Sequence, residues 1–149
     1  MEWIILLQNN YLFILLGILI LLILKNPVLA KLYKLEKITA VSAHEMLQVN
    51  VNKPVILDVR TPFEIENRPI IKRSRFISLS ELSKRMSELD DLGKDRRIIV
   101  FCHSGRRSTP AGIKLKRAGF TNVYVMKGGL MAWKKGNFAV TKKKIKKKK

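Results

Sequence analysis

The chain has 149 residues, a formal net charge of +19 and a single cysteine, Cys102. This is the length of roughly one domain. One thiol excludes a disulfide within the chain and a zinc site built from cysteines, and it is typical of a reducing compartment. Nine of the lysines lie between residue 134 and the C-terminus, where there is no acidic residue, so much of the charge is concentrated at one end.

The N-terminal segment is apolar enough to cross a membrane. From Trp3 to Leu24 only the amides at positions 8–10 and one glycine interrupt the apolar run. Twenty-two helical residues span roughly 33 Å, enough for a hydrocarbon core of about 30 Å. We expect Lys25–Pro27 to end the helix, and we assign 1–30 to a transmembrane anchor and its exit and 31–37 to a basic connector.

Charge around this segment predicts its orientation. Glu2 precedes the apolar run, which is atypical of a cleaved signal peptide. If the amides at 8–10 lie among the head groups, the span begins near Tyr11 instead and extends through Val28 to Ala30. Because four lysines follow the span, the positive-inside rule predicts a single-pass protein of the cell membrane with its C-terminal domain in the cytoplasm. The lysines are Lys25, Lys31, Lys34 and Lys37.

Five short apolar runs after the connector read as strands. Ile98–Phe101 is continuously apolar, as a central parallel strand covered on both faces should be. The run ending at Leu57 is followed at once by the polar residues of Asp58–Arg60. The other three runs are Ile38–Val41, Phe76–Leu79 and Val123–Val125.

Helix signals alternate with these runs. Ser42–Glu45 has the form of a capping box, with His44 as a partly exposed residue of the first turn. A helix is expected over Ser80–Met86, followed by a loop over Asp90–Asp95, and Thr61-Pro62 should form a turn. Further helices are expected from about Ser108 to a stop at Gly119, and after Gly128-Gly129, where the last contains Trp133.

Strands that alternate with helices predict an α/β domain with a mostly parallel sheet. Ligands bind such sheets beyond the carboxyl ends of the strands. Two polar clusters are expected there, Asp58–Arg60 and the segment that begins at Cys102.

The segment CHSGRRS, residues 102–108, has the residue types expected of an anion cradle, that is, a loop that binds an anion next to a nucleophile. Loop amides, a helix N-terminus and neighbouring guanidinium groups each favour a thiolate. Gly105 allows the backbone to turn its amides inward, and a guanidinium fork matches a tetrahedral oxyanion, so Arg106 and Arg107 are candidate anion ligands. His103 next to the thiol could act on protons or face the solvent.

CHSGRRS closely resembles the active-site loop of rhodanese (thiosulfate sulfurtransferase) domains. VILDVR at 55–60, Glu64 and GGLMAW at 128–133 resemble other signatures of that family. The resemblance covers 38–137 and implies a rhodanese-like domain: a five-stranded, mostly parallel sheet flanked by helices. It implies a persulfide on Cys102, and Gly105 and Arg107 as the loop glycine and the closing arginine. His103, Ser104, Arg106 and Ser108 complete the predicted substrate loop, with Asp58 and Arg60 supporting it.

One stretch departs from the family pattern. Where the family commonly has Gly-His-Ile-Pro-Gly-Ala, residues 67–74 read NRPIIKRS. The glycines are absent, which should alter the local turn, and the added arginines and lysine could enlarge a basic rim beside the site.

The leading hypothesis is sulfur transfer from thiosulfate or a persulfide, through a Cys102 persulfide, to a thiophilic acceptor such as a thiol protein. No metal and no cofactor is expected. Cysteine phosphatases use a similar cradle, but their motif has five residues between cysteine and arginine, whereas four separate Cys102 from Arg107. A third hypothesis is a membrane-tethered binding module with little or no turnover.

The lysine-rich tail, 138–149, is expected to be disordered because it cannot bury apolar surface. It could be a solvated, solubilising end. It could also be drawn to anionic lipid head groups, at about 1 kcal/mol per lysine near the surface. Nucleic acid is the least expected partner, because no aromatic residue is interleaved with the lysines to stack on bases.

Overall fold

The structure, a computed structural model, describes residues 10–142, except for the side chains of Lys25 and Asn26. The predicted beginning of the membrane span and residues 143–149 lie outside the described part. The helices are α1 (Tyr11–Leu32), α2 (Ala40–Gln48), α3 (Pro62–Asn67), a 3₁₀ helix (Met86–Leu92), α4 (Ser108–Arg117) and α5 (Gly129–Lys135). The strands are β1 (Glu36–Ile38), β2 (Val55–Asp58), β3 (Arg75–Phe76), β4 (Ile98–Phe101) and β5 (Val123–Met126).

The five strands form one sheet in the order β1-β5-β4-β2-β3. All four strand pairings are parallel. β4 is central, and its four residues are buried because helices cover both faces of the sheet. The predicted α/β fold with a five-stranded parallel sheet is confirmed.

Alternate residues of β4 belong to two hydrophobic clusters, one on each face of the sheet. Ile98 and Val100 pack with α4 and the 3₁₀ helix, whereas Ile99 and Phe101 pack with α2 and α5. This alternation follows from the two-residue period of a strand. The domain is therefore a three-layer sandwich whose sheet presents all its carboxyl ends at one edge.

α1 is the one helix among residues 10–142 that is long and apolar enough to cross a membrane. Its large apolar side chains from Tyr11 to Leu24 are exposed. The prediction that the helix ends at Lys25–Pro27 is wrong, since α1 continues through Pro27 to Leu32. Packing accounts for the extra turns, because Ala30 is buried in the core and the guanidinium of Arg117 lies 3.3 Å from the Tyr33 hydroxyl oxygen.

Two boundaries near the start of the domain differ from prediction. β1 ends at Ile38 rather than continuing to Val41, and α2 begins at Ala40. The cap is Thr39, whose side chain accepts a hydrogen bond from the backbone N–H of Ser42. The predicted capping box at Ser42 is therefore wrong by one turn, because a hydroxyl stands at both positions and only Thr39 follows directly on the strand.

The segment between β2 and β4 also differs. Thr61-Pro62 opens α3 through a capping box with Glu64 rather than forming a simple turn. β3 is two residues long. The helix expected over Ser80–Met86 is a series of turns, and it is followed by a 3₁₀ helix, Met86–Leu92, that ends inside the loop expected over Asp90–Asp95.

The beginning of the predicted disordered tail is part of the domain. The Phe138 ring stacks on His44 at 4.2 Å, and Ala139 accepts a hydrogen bond from the Trp133 indole. Thr141 and Ile70 exchange two backbone hydrogen bonds. The prediction of disorder is therefore wrong for 138–141, because these residues find apolar and backbone partners that the lysines after them do not offer.

Candidate active site

The ends of β2 and β4 bring the two predicted polar clusters together. Asp58 and Phe101 are partners in the register of these strands, so Val59-Arg60 and Cys102 leave the sheet side by side. Cys102 then opens a tight loop that leads directly into α4. Both polar clusters therefore lie at the carboxyl edge of the sheet, where the sequence predicts them.

The loop turns its backbone toward the sulfur of Cys102. The Gly105 N–H donates a hydrogen bond to Sγ at 3.2 Å. Gly105 has φ of +92°, and a Cβ there would lie 3.0 Å from the backbone nitrogen of Gly128. Only glycine makes this turn and this close approach without strain. Although Cys102 is completely buried, its sulfur therefore has polar partners rather than hydrocarbon alone.

The surroundings of Cys102 favour its thiolate. Burial, the largest influence, raises the pKa of the thiol. Hydrogen bonds to the sulfur oppose it, from the Ser108 hydroxyl and the N–H groups of Arg107, Ser108 and Gly105, and the balance lowers the pKa below its ordinary value. The Ser108 hydroxyl is buried and has no hydrogen-bond partner of full geometry among the described residues, but it lies close enough to the thiol to lower its pKa.

Gly128 and Gly129, at the start of α5, lie against the backbone of the cysteine loop. The first N–H groups of α5 donate to the loop carbonyls: Leu130 to Cys102 at 2.8 Å and Met131 to His103 at 3.0 Å. A Cβ on Gly129 would overlap the carbonyl oxygen of Cys102 and lie 2.8 Å from that of His103. The GGLMAW segment therefore positions the cysteine loop through backbone contacts, which its residue types alone did not indicate.

Arg107 is held by Glu64 of α3. Its guanidinium donates two hydrogen bonds to the carboxylate, at 2.6 and 2.8 Å. This pair lowers the pKa of Glu64 to about 2. It raises the pKa of Arg107, to which the negative charge of Cys102 also contributes. Arg107 was predicted to belong to the loop, but its pairing with the Glu64 carboxylate was not predicted. The capping-box pattern from Thr61 to Glu64 was the available signal for the position of this carboxylate.

Asp58 and Arg60 form a buried ion pair, with 2.7 Å between Arg60 Nη2 and Asp58 Oδ2 and no exposed surface on either side chain. Burial raises the pKa of Asp58, and the Arg60 guanidinium opposes that shift. Arg60 Nη2 also donates to the Pro69 carbonyl at 3.1 Å. The pair thus ties the end of β2 to the segment after α3.

The remaining loop side chains are more exposed. His103 is half-buried, and the guanidinium of Arg68 lies 3.2 Å from its Nε2. Ser104 and Arg106 are exposed and form no hydrogen bond or ion pair through their side chains with residues 10–142. Of the cations added at 67–74, only Arg68 contacts the loop. Lys72 and Arg73 line a different cavity. The segment 67–74 therefore does not form one continuous basic rim beside the loop.

A cleft of about 400 Å³ lies beside the loop, at the carboxyl ends of β2 and β3. Arg60, Arg107, Lys114 and the hydroxyls of Ser78 and Ser80 are among its walls. Cys102 itself is not. The cleft therefore brings cationic and hydroxyl groups next to the loop, while the sulfur of Cys102 is buried and forms no part of its walls.

The family model for the rhodanese-like domain matches residues 39–136. A relative from Bacillus subtilis, the uncharacterized protein YqhL, is 31% identical over 98 residues, which are 66% of this chain and 75% of that protein. A protein of Allochromatium vinosum named sulfurtransferase is 34% identical over 79 residues, 53% of this chain and 70% of that protein.

A solved structure of a rhodanese-like domain is also similar to this chain. The solution structure of a rhodanese-like domain from Anabaena superposes with a TM-score of 0.64 at 26% identity, covering 75% of this chain and 83% of that domain. The cysteine loop, the parallel sheet and these similarities agree, and the family match extends over most of the folded part. The chain belongs to the rhodanese-like family.

Proposed function

We propose that this protein is a membrane-anchored sulfurtransferase that carries sulfane sulfur on Cys102. The observation that carries the proposal is the cradle of Cys102, in which the Gly105 N–H lies 3.2 Å from the sulfur and the pKa of the thiol is lowered despite complete burial. A thiolate is the reactive form of cysteine. A sulfurtransferase named as such among the relatives supports the same reaction class.

The reaction with thiosulfate proceeds in two displacements. The Cys102 thiolate attacks the outer sulfur of thiosulfate, the S–S bond of the donor breaks, and sulfite leaves with the electron pair. Cys102 is then a persulfide, whose terminal sulfur is anionic. Cyanide or an acceptor thiolate attacks that terminal sulfur, the Cys102 S–S bond breaks, and the Cys102 thiolate is regenerated.

The cradle stabilises negative charge on sulfur at each stage. The amides at the start of α4 and the Gly105 N–H are fixed by the backbone, so they need no reorganisation when charge shifts to the terminal sulfur. Arg107 is oriented by Glu64 and contributes positive charge next to the sulfur. In this proposal Ser108 stabilises the thiolate of Cys102. His103, Ser104 and Arg106 contact the sulfur donor as it approaches.

A cyanide assay tests this proposal. The full chain in a non-ionic detergent should convert thiosulfate and cyanide to sulfite and thiocyanate, and Cys102→Ser should reduce the rate at least a hundredfold. Ser83→Ala, at an exposed position outside the loop, should retain the full rate. Mass spectrometry should show one added sulfur on Cys102 after thiosulfate and its loss after cyanide. Turnover that persists in Cys102→Ser would refute the mechanism.

The anchor is α1, with the domain on the cytoplasmic side. The exposed apolar surface of α1 from Tyr11 to Leu24 is far larger than isolated surface residues would give, and lysines follow the span. The chain should stay with membranes after alkaline carbonate extraction. In spheroplasts of an expressing bacterium, an impermeant maleimide should label Ser83→Cys only after lysis. Labelling of intact spheroplasts would contradict the orientation.

A binding module without turnover is the second candidate, and one observation favours it. Cys102 has no exposed surface, so a donor reaches the sulfur only if the cradle opens. Phosphatase chemistry is less well supported, because four residues separate Cys102 from Arg107 where cysteine phosphatases have five. A protein that folds normally but forms no persulfide with thiosulfate or with a low-molecular-weight persulfide would establish the binding module.

A further inference from the structure

A second cavity, larger than the cleft beside Cys102, lies at the opposite end of the sheet. Its volume is about 550 Å³. It is lined by the first residues of β2, Val55 and Ile56, and by Arg96 just before β4. Because the strands are parallel, these strand starts lie at the edge away from the loop of Cys102. Its volume is within the range of about 300–1,000 Å³ typical of small-molecule sites.

The walls of this cavity carry positive charge and no negative charge. Five basic side chains line it, and no aspartate or glutamate does. Arg75 is paired with Asp91 at 2.7 Å. The other four form no ion pair with any residue from 10 to 142; they are Lys53, Lys72, Arg73 and Arg96. Four uncompensated cations around one concave surface create a strong local preference for an anion.

The floor of the cavity is apolar. Ile56 and Ile71 are buried beneath it, and Trp133 is 3% exposed. Leu47, Pro54, Val55 and Ala139 complete the apolar part. The remaining polar lining groups, His44 and Gln48, lie 3.1 Å apart and bond to each other. A bare inorganic anion would leave this floor in contact with water, whereas a ligand with an apolar part would cover it.

The C-terminal segment runs along this cavity. Ala139 lines the cavity, and Thr141 pairs with Ile70 beside it. Lys142 follows, and the sequence continues with six more lysines to residue 149. Two lining cations, Lys72 and Arg73, belong to the stretch where this chain departs from the rhodanese pattern. The stretch that departs from the rhodanese pattern and the segment after α5 therefore both contribute residues to this cavity.

We propose that this cavity binds a small organic anion in which a phosphate-type group is joined to a flat or alkyl apolar part. Lys72, Arg73, Lys53 and Arg96 would hold the phosphate oxygens. The apolar part would lie against Ile56 and Ile71. The ligand is bound apart from the cysteine loop, so its site is separate from sulfur transfer.

Calorimetric titration of the full chain in a non-ionic detergent tests the proposal, with ADP and 1-naphthyl phosphate as probes. At least one of them should bind saturably at one site per chain, and pyrophosphate or inorganic phosphate should bind at least tenfold more weakly. The Lys72→Glu/Arg73→Glu variant should weaken probe binding at least tenfold. The matched control, Lys37→Glu/Lys84→Glu, changes charge equally at exposed positions outside the cavity and should change affinity less than twofold.

Three results would overturn the proposal. The first is that neither probe binds. The second is that the inorganic anions bind as tightly as the probes, which would mean that the cavity is only a charged surface. The third is that the control variant loses as much affinity as the cavity variant. Far-UV circular dichroism and alkylation of Cys102 must be unchanged in the cavity variant, so that loss of binding is not loss of fold. A second cavity variant, Lys53→Gln/Arg96→Gln, should weaken binding in the same direction.

The same chemistry occurs in soluble phosphorylated metabolites and in anionic lipid head groups, and nanodiscs distinguish them. With phosphatidylcholine alone, the probe should bind as it does in detergent. If phosphatidylglycerol in the nanodisc blocks the probe, the ligand is a lipid; if it has no effect, the ligand is soluble. Loss of probe binding in phosphatidylcholine nanodiscs, which carry no net charge, would contradict an anion site.

Discussion

At the scale of single residues, the reactivity of Cys102 is a balance of two opposing effects. Complete burial penalises the thiolate, and a set of short-range donors more than compensates. Ser108 differs from the backbone donors, because its hydroxyl is buried, has no hydrogen-bond partner of full geometry among the described residues, and still lowers the pKa of the thiol. A residue predicted to bind substrate is thus placed to act on the nucleophile itself.

Ser108→Ala should raise the pKa of Cys102, because a donor to the thiolate is lost while the burial remains. The midpoint of iodoacetamide alkylation against pH should move to higher pH, with the limiting rate at high pH little changed. Ser104→Ala is the matched control, since Ser104 is exposed in the same loop. An unmoved midpoint in Ser108→Ala would show that the hydroxyl does not donate to the sulfur.

At the scale of elements, α3 and α5 hold the loop from two sides. Glu64 of α3 binds Arg107, and the first amides of α5 bind the carbonyls of Cys102 and His103. Both supports come from parts of the chain remote in sequence from the loop. The loop therefore keeps its shape only while both helices are docked.

The Glu64–Arg107 pair should make stability depend on acid pH. Because the pKa of Glu64 is lowered from 4.5 to about 2 on folding, the pair stabilises the fold above about pH 4.5, and this contribution is lost as the pH falls toward 2. Urea unfolding between pH 7 and pH 3 should show this loss in the parent chain and a smaller one in Glu64→Gln. Glu66→Gln, exposed on the same helix, should behave like the parent chain.

Gly129→Ala should distort the active loop and destabilise the domain. The added Cβ would overlap the Cys102 carbonyl, and Gly129 has φ of +53°, a conformation that costs a residue with a side chain about 1–3 kcal/mol before any overlap. Thermal unfolding and the alkylation rate of Cys102 measure the two effects. Gly17→Ala has nothing within 4 Å of its new Cβ and should leave both unchanged; an equally mild Gly129→Ala would contradict the contact.

At the scale of the whole molecule, α1 and the segment around Phe138 pack on opposite faces of the sheet. The last turns of α1 join the core on the α4 side. The segment around Phe138 packs on the opposite face, against α2 and α5. The two cavities are likewise at opposite edges, so the cysteine loop and the basic cavity have separate surfaces.

Deletion of 138–149 should destabilise the domain by roughly 2–3 kcal/mol, since it removes the partly buried Phe138 ring and the two backbone bonds between Thr141 and Ile70. Deletion of 143–149 alone removes mainly lysine and should have little effect on unfolding. Urea denaturation of both variants measures the difference. Equal midpoints for the two deletions would show that 138–142 contributes nothing to the fold.

The order of the five strands, the parallel sheet and the place of Cys102 at a strand end could be predicted from the sequence, whereas α3 was expected as a turn and the turns over 80–85 as a helix. Each depends on local patterns: a continuous apolar run such as Ile98–Phe101, and a glycine and two arginines just after the thiol. Such patterns act over a few residues, and the parallel topology then puts the strand ends at one edge.

The tertiary structure alone decided the partners of these residues. It brought Glu64 to Arg107, placed Gly129 against the carbonyl of Cys102, packed the last turns of α1 against the core and ordered the chain around Phe138. It also divided the cations of 67–74 between the loop and a distant cavity. These contacts join residues far apart in sequence, and their free energy exists only once the layers have packed, so no local pattern could specify them.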